Sequence, residues 1–205
     1  MSLFEILSWI SFLTLNLSIF LTFFFYILSV IPVTLEEKIG ERSWKLCAIF
    51  RIISDILFLI LIVSILMWIW FPISVLNWRI SENYLFLIAT AVLIAIPSFY
   101  ILIRALKDAG RETVETSKET QMYGGIYKHI RHPQISGSIL MFFIFCLILN
   151  SLFYLIWIIL LMLLITPIVI YFEEKDLIKR YGESYLFYRK NTGALIPRFW
   201  SKVKG

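Results

Sequence analysis

From Leu46 to Phe71 the chain runs 26 residues in which Arg51 and Asp55 are the only charges. An α-helix rises 1.5 Å per residue, so about 20 apolar residues cross the roughly 30 Å hydrocarbon core of a bilayer. A soluble helix buries one stripe and keeps a polar face, which this segment lacks. Four more runs share the pattern: about Leu3–Ile31, Tyr84–Leu106, Ile135–Leu149 and Leu152–Phe172. The expected fold is all-α, a polytopic membrane protein with five transmembrane helices. Of the 205 residues, 60% are hydrophobic and 16% charged, against about 45–50% and 25% in soluble domains. The first run lacks a basic leader and is too long for a signal-peptide core, so it is expected to remain as a span. Only Asn150 and Ser151 separate the last two runs, which predicts a tight helical hairpin of spans 4 and 5. Its first arm is short, which predicts a thin or tilted crossing.

The charges orient these spans. Of 19 Lys and Arg, 17 fall in three segments on one side of a five-span chain. The first segment holds Lys38, Arg42 and Lys45. The second holds Arg104, Lys107, Arg111, Lys118, Lys128 and Arg131, and the third is the tail beyond Phe172, ending in Lys202 and Lys204. The opposite side has Arg79, and Arg51 lies within a span. Basic residues collect on the cytoplasmic side. The reading is therefore an integral membrane protein, in the plasma membrane if prokaryotic, with the N-terminus outside and the C-terminus cytoplasmic. The net charge of +5 then reports topology, not nucleic-acid binding. Trp44, Trp68, Trp70, Trp78 and Trp200 lie at segment ends and read as an interfacial belt. Cys47 and Cys146 have no metal-ligand or redox spacing and read as buried thiols, and no metal site is expected.

Some polar residues are out of place. Arg51 and Asp55, four apart, share one helix face; they read either as an ion pair with Arg51 reaching the interface, or as the lining of a cytoplasmic cavity. Pro97 is expected to kink the third span. Both histidines fall in Tyr123-Gly-Gly-Ile-Tyr-Lys-His-Ile-Arg-His-Pro133. Pro133 suits the first turn of a helix, whose free amides favour an anion. The fifth run ends at Phe172, followed at once by Glu173-Glu174. Leu177, Ile178, Tyr181, Tyr185 and Tyr188 then recur at helical spacing, which predicts a cytoplasmic C-terminal amphipathic helix interrupted at Gly182. A tight hairpin must return Glu173-Glu174 to the face that holds Arg131-His132. Cations facing carboxylates would form a cage for a zwitterion; the plainer alternative is a basic interfacial loop.

Gly125-Ile-Tyr127, Arg131-His132-Pro133, the hairpin, Glu173-Glu174, Tyr181-Gly182-Glu-Ser-Tyr185-Leu-Phe-Tyr188 and Leu195-Ile-Pro197 together resemble the isoprenylcysteine carboxyl methyltransferase family. The resemblance covers roughly Arg104 to Arg198. It divides the chain into three N-terminal transmembrane helices (1–106) and a methyltransferase-like region (107–205). It implies an enzyme using S-adenosylmethionine, with S-adenosylhomocysteine as product, on a lipidic or prenylated acceptor drawn from the bilayer. Carried over residue by residue, the cofactor-binding candidates are Gly125, Tyr127, Arg131, His132, Pro133, Ile135, Glu173 and Glu174. Tyr185, Tyr188 and Pro197 match tail positions that close or touch the pocket. Arg51 and Arg104 are the candidates to orient an acceptor carboxylate. Two departures stand out: Ile135 occupies a position commonly tyrosine, and Gly110 to Tyr123 is short and lacks a histidine. No nucleic acid and no obligate protein partner is implied. The alternatives are a phospholipid N-methyltransferase, an NADPH-dependent membrane sterol or enone reductase, and a non-enzymatic membrane protein.

Overall fold

The computed structural model describes residues 2–113 and 124–198. Lys118, Tyr123, Trp200, Lys202 and Lys204 lie outside the described residues. Among the described residues the fold is helical, with four helices long and apolar enough to cross a membrane and one shorter apolar helix. Helix α1 covers Leu3–Ser29, α2 Pro32–Ile39, α3 Arg42–Trp70 and α4 Tyr84–Ala109. Helix α5 covers Pro133–Ile148, α6 Leu152–Tyr181 and α7 Glu183–Asn191.

Among the described residues, five of the seven α-helix starts have a local cause in a cap or a proline. Ser2 accepts from the Glu5 amide (3.2 Å) while its own amide donates to Glu5 Oε2 (2.8 Å), a reciprocal capping box. Asn83 caps α4 through Phe86 N (3.0 Å), and Ser151 caps α6 through Tyr154 N (3.3 Å). Pro32 and Pro133 open α2 and α5 at their first positions, where no amide partner is needed. The hairpin turn is held from outside. Asn150, at φ 48°, accepts from Ile80 N (2.9 Å) and Ser81 N (3.1 Å), and Leu152 N donates to Trp78 O (2.8 Å).

The core sits between α1, α3, α5 and α6. Leu15, Ile19, Leu61, Ile65, Phe142, Cys146, Tyr154, Ile158 and Leu161 interdigitate there. Water supplies no driving force for packing inside a bilayer, so small residues and interhelical hydrogen bonds matter more. Ser8, Ser11, Ser18, Thr22 and Ser29 of α1 are all buried. Ser11 Oγ reaches Ser64 O at 3.4 Å, and Ser54 Oγ reaches Thr22 O at 3.0 Å. Helix α4 packs on α5 through Gly137, whose absent Cβ would lie 2.5 Å from Leu102 Cγ. Ser98 donates to Gly137 O (2.9 Å), and α4 runs through Pro97 without interruption.

Three sequence expectations shift. The fifth span does not end at Phe172: α6 continues nine residues further, so Glu173 and Glu174 lie on a continuous helix and the separate C-terminal helix begins after Gly182 (φ 57°). Helix α2 fills a stretch read as loop. Trp68 is 2% exposed and packs edge-on to Tyr154 at 4.8 Å, so it is a core residue rather than part of a belt. Trp70 and Trp78 are exposed as a belt requires, and both cysteines are buried free thiols.

Candidate active site

A cleft of about 830 Å³, counting the part open to solvent, lies at the end of the bundle where the basic segments gather. Its walls come from distant parts of the chain. Helix α1 and the α1–α2 junction contribute Tyr26, Val30 and Pro32, and α3 contributes Arg51. The 125–135 segment contributes Tyr127, Arg131, His132, Pro133, Gln134 and Ile135. The far end of α6 supplies Glu173, Asp176, Leu177, Arg180 and Tyr181, and α7 adds Tyr185 and Tyr188. Glu112 and Ala109 close it beyond α4.

The Arg131-His132 loop is locked by backbone before any side chain acts. Arg131 N donates to Gly193 O (2.8 Å) and His132 N to Ala194 O (3.0 Å), so the tail lies alongside as a short parallel bridge. Ser136 Oγ donates to Leu195 O at 2.7 Å. A side chain on Gly193 would meet Ile196 O at 1.9 Å, so the strap needs glycine there. On the other flank Gly125 sits at φ 54°, and a Cβ would fall 2.1 Å from Asp108 Oδ2. Asp108 itself accepts from Ile126 N at 2.7 Å. The backbone at Gly125 is thus closely approached by a carboxylate of α4. Tyr188 donates to Tyr127 O at 2.5 Å and ties α7 to the same loop.

The charges expected to face one another do so, and they bond to one another. Glu174 Oε1 takes Arg131 Nη2 (2.7 Å) and Nε (2.8 Å), and its Oε2 takes Arg189 Nε (2.8 Å). Arg131 Nη1 donates to the Arg189 carbonyl (2.9 Å) and to the Thr192 carbonyl. His132 is 4% exposed, with Nδ1 3.1 Å from Glu173 Oε2 and Nε2 3.2 Å from Glu174 Oε1. A neutral imidazole donates from one nitrogen only; two carboxylate neighbours require both protons. Burial opposes that charge, but the Glu173 and Glu174 carboxylates outweigh it and raise His132 to about 9. It is an imidazolium at neutral pH. The Tyr127 and Tyr185 hydroxyls are pushed upward chiefly by burial and remain neutral donors.

This arrangement separates the site candidates. Tyr127, Arg131, His132, Pro133, Ile135 and Glu173 line the cleft, as do Tyr185 and Tyr188. Gly125, Glu174 and Pro197 do not line it. Arg51 is buried at 9% exposure, donates from Nε to Ser29 Oγ (2.9 Å) and lies over the Tyr26 ring at 4.9 Å. It faces the cleft, whereas Asp55 on the next turn is exposed. Arg104 does not line the cleft; it is 3.5 Å from Asp108 and 43% exposed in its side chain. Sequence reasoning missed Tyr26, Asp176, Arg180 and Glu112. Arg180 pairs with buried Glu112 at 2.9 Å. Asp176 accepts from Thr34 N (2.6 Å) and Val33 N (3.3 Å), pinning α2 against α6. The spacing Glu173–Asp176–Arg180, on one face of one helix, was the available signal.

Tyr185 provides a test of whether a polar ligand fits. It is 2% exposed, lines the cleft, and its hydroxyl has no hydrogen-bond partner among the described residues. A buried hydroxyl of this kind costs free energy until a partner arrives. With a carboxylate, an imidazolium and three tyrosines on the same wall, the cleft suits a polar, partly aromatic, zwitterionic molecule.

No curated protein and no solved structure matches the chain. The model of the family described as phospholipid methyltransferase, related to the isoprenylcysteine carboxyl methyltransferase superfamily, matches residues 83–184. That stretch, just under half of the chain, holds α4, the His132 loop and the whole hairpin with Glu173 and Glu174, and the match indicates an integral membrane methyltransferase.

Proposed function

We propose that the chain is an S-adenosylmethionine-dependent methyltransferase whose acceptor is a lipid carboxylate of the isoprenylcysteine type, methylated at the cytoplasmic face of the membrane. The observation that carries this reading is Arg51: a buried guanidinium on a transmembrane helix, facing the same cleft as His132 and Glu173. An intramembrane cation is costly and belongs where it meets a partner or a wet cavity.

Tyr127, His132, Glu173 and Tyr185 are the residues to hold the cofactor; Glu173 suits an ammonium and the Tyr185 hydroxyl an acceptor atom. When bound, the cofactor supplies an electrophilic methyl group on a sulfonium. A carboxylate acceptor is already a nucleophile and needs no base. Arg51 orients it, and the Tyr26 ring beneath the guanidinium spreads the contact so that the acceptor is steered without being pinned. Alignment of this kind supplies about 7–11 kcal/mol of a displacement barrier. The α7–tail strap excludes water from the far side.

The family description favours a second reading, a phospholipid amine as acceptor. An amine attacks only when neutral, so it needs a base. His132, held as an imidazolium, does not serve at neutral pH. Methyl transfer from tritiated cofactor, assayed with a prenylcysteine, phosphatidylethanolamine and a small thiol, tests both readings. The carboxylate reading expects base-labile methyl ester on the prenylcysteine; label in phosphatidylethanolamine alone would overturn it. NADPH binding without S-adenosylhomocysteine binding, measured by calorimetry, would overturn both.

A further inference from the structure

Four cations line the cleft, and the structure treats them differently. All three Arg131 guanidinium nitrogens are engaged by Glu174, Arg189 O and Thr192 O. Both His132 nitrogens face carboxylates. Arg51 faces the cleft from the membrane side. Arg180 is the fourth. Its side chain is 6% exposed, Nη2 bonds Glu112 at 2.9 Å, and its Nε is buried with no hydrogen-bond partner among the described residues.

The setting of Arg180 restricts what completes it. Its guanidinium lies 5.2 Å from the Trp44 ring centre and 4.8 Å from that of Tyr181. Aromatic contacts of that kind occupy the faces of a guanidinium and leave its edge for hydrogen bonding. An unpartnered edge N–H on a buried cation calls for an oxyanion. Position then indicates which molecule carries it. Arg180 lies seven residues beyond Glu173 on α6, about 10 Å further along the axis and away from the membrane spans. A lipid acceptor reaches Arg51 first; a water-soluble ligand reaches Arg180 first.

We propose that Arg180 is the anion receptor for the soluble ligand of the cleft, binding the carboxylate of the cofactor's amino-acid end while Trp44 and Tyr181 hold its plane. The inference rests on the methyltransferase reading and adds a residue outside the motifs that carry the family resemblance. It divides the cleft into two anion sites, Arg51 for the acceptor and Arg180 for the donor.

Calorimetry on purified protein, with two probes, tests this. S-Adenosylhomocysteine carries the carboxylate; 5′-methylthioadenosine lacks the whole amino-acid end. Arg180→Gln is expected to weaken S-adenosylhomocysteine about 10- to 100-fold, the range for losing a charged hydrogen bond, and to leave 5′-methylthioadenosine within about twofold. Arg180→Lys, which keeps the charge and is more certain to fold, is expected to show the same selective loss at about one-third to one-tenth the size. Equal losses for both probes would make Arg180 a structural brace and overturn the proposal, as would unchanged binding of both. A selective rise in the KM of a phospholipid acceptor, with S-adenosylhomocysteine binding intact, would assign the oxyanion to a headgroup and also overturn it. If the wild-type protein binds neither probe, the methyltransferase reading itself fails.

Discussion

Glu174 and Glu173 are neighbours in sequence with opposite employment. Glu174 does not line the cleft and takes Arg131, His132 and Arg189. Removing one member of such a buried cluster leaves charges without partners, at a cost of about 3 kcal/mol or more. Glu174→Gln is therefore expected to lower the melting temperature in detergent. Glu173→Ala is expected to abolish S-adenosylhomocysteine binding and, since it removes one partner of His132 where Glu174 holds three cations, to lower the melting temperature less than Glu174→Gln; a normal titration would remove Glu173 from the cofactor site. His132 adds a pH dependence whose sign follows from its raised value of about 9. A group with its folded pKa above the unfolded value of about 6.5 stabilises fully below 6.5 and loses that contribution as pH rises through 9. Melting temperature is expected to fall between pH 7 and pH 10, and His132→Gln to flatten that slope. Much of this was legible in the sequence: a two-residue turn forces Arg131-His132 and Glu173-Glu174 together. That the charges would mostly satisfy one another was not, because Arg189 and the Thr192 carbonyl enter from a tail that periodicity does not place.

Elements were read well where a long apolar run defined them and less well where a single residue decided. The first run reads as ending near Ile31, yet the proline that follows opens a helix as readily as it stops one, and here Pro32 starts α2. The run of α6 past Phe172 was hidden because apolar character ends there while helix propensity does not; Glu, Lys, Leu and Arg carry the helix to Gly182. Helix pairing was also legible in a form not sought. Ser8, Ser11, Ser18, Thr22 and Ser29 form a small-residue stripe on the face of α1 that meets α3, doing the work of a glycine motif. Between α4 and α5 a single glycine sets the distance. Gly137→Ala would put a methyl 2.5 Å from Leu102 Cγ and 3.2 Å from Ser98 O, and the two helices must part. A cost of about 1–3 kcal/mol is expected, read as a lower melting temperature that Leu102→Ala partly restores.

At the scale of the molecule, the positive-inside rule predicts one orientation from the charge distribution, cleft and C-terminus cytoplasmic and N-terminus outside. A single cysteine at Ser2 in a Cys47→Ala, Cys146→Ala background should react with an impermeant maleimide in intact cells, and one at Asn191 should not; the reverse pattern would invert the topology. The hairpin carries a further consequence. Helix α5 has 16 residues and α6 has 30, about 24 Å and 45 Å at helical rise. The shorter arm falls below the roughly 30 Å hydrocarbon thickness, and the cleft opens at its mouth. Local thinning of the leaflet is one way a bilayer meets so short an arm, and it would bring lipid down to the level of His132, at the floor of a dimple. Bilayer thickness then sets the depth of that dimple, and turnover in nanodiscs is expected to fall as acyl chains lengthen from 14 to 20 carbons. A lipid beside α5 would then arrive with its headgroup level with the cleft, and the thinned leaflet would serve as its doorway.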